Sequence, residues 1–200
     1  MATDGKIRII EAARRVISKN GIAGSTMRGI AEEAGLSTGA IYHYYSSKEQ
    51  VLYDVMDESL SESSRIAEES RQGKASKEEL IDEVYENILK RFEKKDENRV
   101  QFYLAEEAIL GNNELRDKLK EKYKQWIEKI EDLFQSMYGK ETTKYNKAFA
   151  TILLGSIDGV ILQLMLNANP AEIDDIAEVY HEILKEGIPR FIDHLSQIKK

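Results

Sequence analysis

The stretch Ser25-Thr-Met-Arg-Gly-Ile-Ala-Glu-Glu-Ala-Gly-Leu-Ser-Thr-Gly-Ala-Ile-Tyr-His-Tyr-Tyr45 decides the architecture. Met27, Ile30, Ala31 and Ala34 recur at i, i+3, i+4 and i+7, the spacing of a helix with one apolar face. Ser25 or Thr26 is placed to cap that helix. Gly35 breaks it, and Ser37 caps a second short helix running to about Tyr44. Leu36 is set to plug the angle between the two, with Ile41 and Tyr45 facing inward beside it. Thr38, Gly39, Tyr42 and His43 share the opposite face. That face is small and polar at its start and aromatic at its end. Such a helix can press into a major groove while hydroxyls and imidazole nitrogens reach phosphates and base edges.

Working outward, Ile9, Ile10, Ala13, Val16 and Ile17 predict a first helix, and Asn20-Gly21 supplies its stop. Ser47 followed by Gln50 is a capping box that opens a long fourth helix, predicted to end near Gly73. Further amphipathic helices are read over Ser76 to about Lys94, Glu97 to Leu110, and Asn112 to Met137. Gly111 and Tyr138-Gly139-Lys140 mark the breaks. A more apolar helix covers Thr142 to Asn167, and Asn169 ahead of Pro170 is expected to start the last one. The only prolines are Pro170 and Pro189. The sum is an all-α chain of about nine helices. A three-helix helix-turn-helix head, residues 1–50, precedes a larger helical ligand-binding and dimerisation body, residues 51–200. The fourth helix joins them, with no flexible linker.

The chain has no cysteine, which removes disulfides, thiol catalysis and cysteine zinc sites together. No apolar leader is visible at the N-terminus, so a cytoplasmic chain is expected. Ala150 to Leu166 is apolar enough to suggest a membrane span, but Asp158 and Gln163 interrupt it, both costly in lipid. Residues 1–50 carry seven Lys or Arg against five Asp or Glu, while the other 150 carry 22 against 31. A mildly basic head on an acidic body suits local binding to DNA. His181 and His194 lie 13 residues apart without supporting ligands, so no metal is expected. Glu106-Glu107 and Asp174-Asp175 have no nucleophile or base arrangement around them, and neither an enzyme nor a cofactor is expected.

Ile9-Ile-Glu-Ala-Ala13, Gly21-Ile22, Thr26-Met-Arg-Gly-Ile-Ala31, Ala34-Gly-Leu-Ser37, Gly39-Ala-Ile-Tyr-His-Tyr-Tyr45 and Ser47-Lys-Glu-Gln-Val-Leu52 together resemble the head of a TetR-family transcriptional regulator. The likeness is nearly continuous over residues 9–52 and looser beyond. The resemblance implies that Thr26 and Arg28 hold phosphates, that Thr38, Ala40 and His43 meet bases, and that Tyr42 meets the backbone. Lys48 would pin the fourth helix to DNA, and Ser25 and Ser37 join the DNA-facing set at the two helix starts. The family often has Phe where Tyr45 stands, so the added hydroxyl needs a partner or an exit to water.

In the body, Tyr145, Phe149, Ile152, Ser156, Gly159, Val160 and Gln163 form a stripe with small residues at its centre, suited to a symmetric helix–helix contact. Ile176, Val179, Ile183, Ile188 and Phe191 offer a second face, so a four-helix bundle from two subunits is expected. The alternative is that both helices pack within one subunit. Phe102, Tyr103, Tyr123 and Trp126 are candidate effector contacts. Glu106 and Asp158, acids on seemingly apolar faces, either bond locally or anchor a ligand. The function expected is a repressor that binds a pseudo-palindromic double-stranded operator as a homodimer and is released by a small, largely apolar effector. A helix-turn-helix DNA binder with no small-molecule response is the rival.

Overall fold

In the computed structural model, which describes residues 4–59, 75–139 and 145–198, every regular element is helical. By packing, the described residues divide into two compact units. One is drawn from Met1–Leu60 and Lys94–Glu121, the other from Ser61–Glu93 and Lys122–Lys200.

The first unit begins with α1 (Asp4–Gly24), which buries Ile9, Ile10, Ala12, Ala13, Val16 and Ile17 as one stripe. Its backbone leaves helical geometry at Gly21 (φ 69, ψ 174), where Asn20-Gly21 predicts a stop. Next come α2 (Met27–Glu33), α3 (Thr38–Tyr42) and α4 (Lys48–Ser59). Here α2 packs on α1 and α3 on α2, while α4 packs on both α1 and α6 (Lys95–Ile109). Val51, Leu52, Val55 and Met56 make the buried side of α4. The unit therefore draws on α4, α6 and the start of α7 (Asn113–Tyr138) as well as on residues 1–50. The continuation of the fourth helix toward Gly73 lies outside the described residues beyond Ser59.

The second unit contains α5 (Lys77–Glu93), the later turns of α7, and α8 (Asn146–Met165). It ends with α9 (Ile173–Glu182), a π-helical segment at Ile183–Gly187, and α10 (Ile188–Ile198), which run on without a break. Ser76 caps α5: its Oγ accepts Glu79 N–H at 3.2 Å, and Glu79 Oε2 accepts Ser76 N–H at 2.7 Å. α8 ends on Asn167 in the left-handed region (φ 52), with Ala168 N–H donating to Gln163 O. One start differs from expectation. Asn169 Oδ1 accepts Ala171 N–H two residues on, an Asx turn, so Asn169-Pro170 shape a turn and α9 begins at Ile173.

The π segment has a local cause. Ile188 N–H donates five residues back to Ile183 O, wider than the α register. Leu184 O then loses its α donor, residue 188. Its π donor would be residue 189, but Pro189 has no N–H. The Tyr138 hydroxyl donates to this orphaned carbonyl from α7, and burial pushes the Tyr138 phenol up. Inward of this run lie Ala177, Tyr180, Leu184 and Ile188. Ile188 thus belongs to the core stripe and not, as the spacing suggested, to the outer face with Val179, Ile183 and Phe191.

Tyr138→Phe removes the donor and leaves a buried carbonyl without its partner. The expected cost is about 1–3 kcal/mol of unfolding free energy, read as a lower urea midpoint at unchanged helix content. An unchanged midpoint would mean that the hydroxyl contributes nothing there.

Candidate nucleic-acid interface

The outer helix pair is set by its corner. Leu36 N–H donates to Ala31 O (2.8 Å) and Gly35 N–H to Glu32 O (3.1 Å), a Schellman ending that needs the left-handed φ of 67° at Gly35. Arg8 Nη2 donates to Ala34 O at 2.7 Å from α1. Two residues later Ser37 Oγ accepts Ala40 N–H at 3.1 Å and starts α3. Ile41 and Tyr45 are buried, while Thr38, Gly39, Tyr42 and His43 are exposed, Tyr42 by 53%. Ala40 is half-buried behind them. Tyr44 is also exposed, and a Cβ at Gly5 of α1 would overlap its hydroxyl.

Thr26 caps α2, its Oγ1 accepting Gly29 N–H at 3.0 Å. Ser25 does not share that role. It is 2% exposed and its Oγ donates to Gly21 O at 2.7 Å, so it holds the bend after α1 and is turned away from any phosphate. Arg28 is exposed and paired with Glu32 one turn on, a pair that raises its pKa. Lys48, at the start of α4, donates to Ile22 O at 3.3 Å and lies 5.4 Å from the Tyr103 ring centroid. Glu33 receives Arg15 (2.6 Å) and Lys19 (3.3 Å) from α1, and those hydrogen bonds hold its carboxyl below the usual range. Tyr45 finds the partner its hydroxyl requires: it donates to Asp54 Oδ2 at 2.8 Å, and Lys6 Nζ lies 3.7 Å from the same oxygen.

Of the candidate effector contacts, Phe102, Tyr103 and Glu106 belong to the first unit, and Tyr123, Trp126 and Asp158 to the second. The inward stripe of α6 is Asn98, Val100, Gln101, Leu104 and Ala108. Glu106 is two residues from Leu104, a turn of about 200° around a helix, and it is exposed. The expected apolar setting for Glu106 is therefore not present. Asp158 Oδ2 accepts the Tyr123 hydroxyl at 2.8 Å, and Tyr123 meets Trp126 edge-on with centroids 5.1 Å apart. Along α8, Ile152, Ser156 and Gln163 are exposed, and Phe149, Gly159 and Val160 are half-buried. Ile183 is exposed beside them in chain order on the final helical run.

Long-range side-chain ties escape sequence reasoning. Gln50 reaches Glu114 and Tyr138 reaches Leu184, partners 64 and 46 residues away with no local signal.

These features define a helix-turn-helix DNA-binding head on an all-helical chain. Residues 9–55 match the family model described as bacterial regulatory proteins, tetR family. The chain is 29% identical over 178 residues to an uncharacterised helix-turn-helix-type transcriptional regulator of Bacillus subtilis (strain 168), YfiR, with 85% of each chain covered. It is 27% identical over 187 residues to a fatty acid metabolism regulator protein of the same organism, covering 91% of this chain and 94% of that one. Among solved structures, the transcriptional regulator FadR from Bacillus subtilis in complex with stearoyl-CoA aligns with a TM-score of 0.62 at 24% identity. That alignment covers 90% of this chain and 98% of the other. Residues 9–55 thus carry a head of the tetR-family type, and over most of its length the chain is similar to transcriptional regulators.

Tyrosines in the first unit make the fold sensitive to alkali. Burial first, then the hydrogen bond to Asp54, pushes the Tyr45 phenol well up, and burial with Asp57 and Asp54 nearby raises Tyr53 to about 12. Both exceed the ordinary phenol value of about 10, so the fold favours the neutral form. Their contribution is complete below pH 10 and is lost as pH rises through 10 to 12 and beyond. Urea midpoints measured from pH 8 to 12 should fall over that interval. Tyr45→Phe should be less stable at pH 8 yet show a shallower fall.

Proposed function

We propose that the chain is a ligand-responsive, cytoplasmic repressor that binds a pseudo-palindromic operator as a homodimer and is released by a small, largely apolar effector. The observation that carries the DNA reading is the exposed face of α3. Its Thr38, Tyr42 and His43 point outward while Ile41 and Tyr45 lock the helix from behind. The helix starts at Thr26, Ser37 and Ser47 present backbone amides suited to phosphates, with Arg28 and Lys48 beside them. Two such helices, one per subunit, would be set about one helical turn of DNA apart, roughly 34–36 Å.

Support for the homodimer comes from α8 and the final helical run. Ile152 is 68% exposed, and Leu162, Leu166, Val179, Ile183 and Phe191 are also exposed. Single-chain packing gives no reason for glycine at 155 or 159, because a Cβ at either meets nothing within 4 Å. A second copy's helix approaching the stripe of Phe149, Ile152, Ser156, Gly159, Val160 and Gln163 supplies that reason. Among the described residues, α8 is long and apolar enough to span a membrane, but Asp158 and Gln163 sit within it.

For the effector, neither carboxylate stands as a buried anchor for a cation. Glu106 is exposed and Asp158 accepts the Tyr123 hydroxyl. Tyr123 and Trp126 meet edge-on and Trp126 is buried, aromatic area that suits a neutral or fatty-acyl chain, with Lys122 Nζ 5.9 Å from the Trp126 ring centroid. The relatives named above, one a fatty acid metabolism regulator and one solved with stearoyl-CoA, lean the same way. Release would be a population shift, the effector binding more tightly to a conformation that holds DNA weakly.

Light scattering at micromolar concentration should give the mass of two chains. Gly159→Arg should yield monomer or unfolded chain, because a buried unpaired cation costs several kcal/mol. A native chain that runs as a monomer removes the dimer.

A duplex selected from a random pool should bind tightly. Tyr42→Ala and Lys48→Ala should both weaken it across sequences, and Lys48→Ala, which removes a cation, should lower the slope of log affinity against log salt by about one. Stearoyl-CoA should change the fluorescence of Trp126, the chain's single tryptophan, saturably and release the duplex over the same range. Duplex binding that ignores stearoyl-CoA and a panel of lipophilic cations alike favours a DNA binder without ligand response.

A further inference from the structure

The Gln50 side chain does more than close a capping box. Its backbone N–H donates to Ser47 Oγ at 3.4 Å, and its Oε1 accepts Ser46 N–H at 3.1 Å, satisfying amides at the entry to α4. Its Nε2 then donates to Glu114 Oε1 at 2.9 Å in the first turn of α7. Glu114 is also paired with Lys118 at 3.2 Å, and its carboxyl is held below the usual range by the Gln50 bond first and Lys118 second. Lys118 in turn lies 5.9 Å from the Tyr53 ring, so α4 and the start of α7 meet along a shallow polar crevice bordered by Ser47, Gln50, Tyr53, Glu114, Leu115 and Lys118.

The residue type carries the argument. A glutamate at position 50 would satisfy the cap at least as well, since the helix N-terminus favours negative charge. It could not donate to Glu114. Glutamine accepts on one side and donates on the other, which is what a tie between a backbone amide and a carboxylate requires. The tied amide, Ser46 N–H, belongs to the connection between the recognition helix and α4.

We propose that Gln50 is a positioning residue for operator binding: its amide ties the backbone just past the recognition helix to Glu114 of α7, fixing how α3 and the start of α4 are presented together to DNA. Gln50 itself touches no DNA. The proposal rests on the operator-binding reading above.

The experiment uses the full chain and a duplex that it selects from a random pool, with affinity measured by fluorescence anisotropy over a range of salt. Gln50→Glu keeps the acceptor for Ser46 and loses the donor, so affinity should fall about three- to ten-fold, the size of one hydrogen bond, with helix content and melting temperature held. Glu114→Gln keeps an acceptor for Gln50 and should bind like the native chain. The double variant Gln50→Glu with Glu114→Gln has the native net charge and re-forms the bond with donor and acceptor exchanged. It should recover native affinity and the native salt slope. Native affinity in Gln50→Glu, or a double variant as weak as Gln50→Glu, overturns the positioning role while the native chain's binding stands. A native chain that selects no duplex overturns the operator-binding reading itself, and this proposal with it.

Discussion

Gly35 sits between two short helices at a φ of 67°, and the exposed face of α3 depends on the turn made there. A helix ends with carbonyls that have no partner, and this one places them on the amides of Gly35 and Leu36 and on the guanidinium of Arg8. A residue with a Cβ would be strained in that backbone region and would meet Arg8 Nη2 at 3.4 Å. Because the ending consumes only two residues before Ser37 caps the next helix, α3 leaves the corner in one direction. Ile41 and Tyr45 then hold its inner side against the core, and Tyr45 is fastened to Asp54 of α4. Exposure of Thr38, Tyr42 and His43 follows from that geometry.

The same accounting of backbone groups shapes the other unit. Pro189 cannot donate, the helix widens by one register, and Leu184 O is left to the Tyr138 hydroxyl. Ala177, Tyr180, Leu184 and Ile188 turn inward, and Val179, Ile183 and Phe191 turn outward. Phe149 of α8 meets Phe191 of α10 edge-on at 4.7 Å. Two helical runs of one chain thus carry exposed apolar residues. In the head, Gln50 applies the rule at a helix start, where amides in place of carbonyls need partners.

Local features were legible from residue order. The stop at Gly21, the caps at Thr26, Ser37 and Ser47, the corner at Gly35 and the apolar stripe of α1 each depend on residues within a few positions. Where two local choices competed, order did not decide between them. Ser25 and Thr26 are both good caps, and only the bend at Gly21 shows that Ser25 is committed to its carbonyl. Asn169 before Pro170 reads as a helix start, and the Asx turn prevails. Glu106 fell in step with Phe102 and Ile109, but periodicity cannot say which side of α6 faces a neighbour. The side chosen is that of Leu104 and Ala108.

Sequence by itself determined the helical class, the helix-turn-helix head and the outward face of α3, because helix periodicity, capping and turn chemistry act over one or two turns. Tertiary structure decided which polar side chains are already engaged. Asp158 belongs to Tyr123, the hydroxyl of Tyr45 to Asp54, Gln50 to Glu114, and Leu184 O to Tyr138. Each pair joins residues distant along the chain, and a hydrogen bond has a reach of about 3 Å that only packing can bring about.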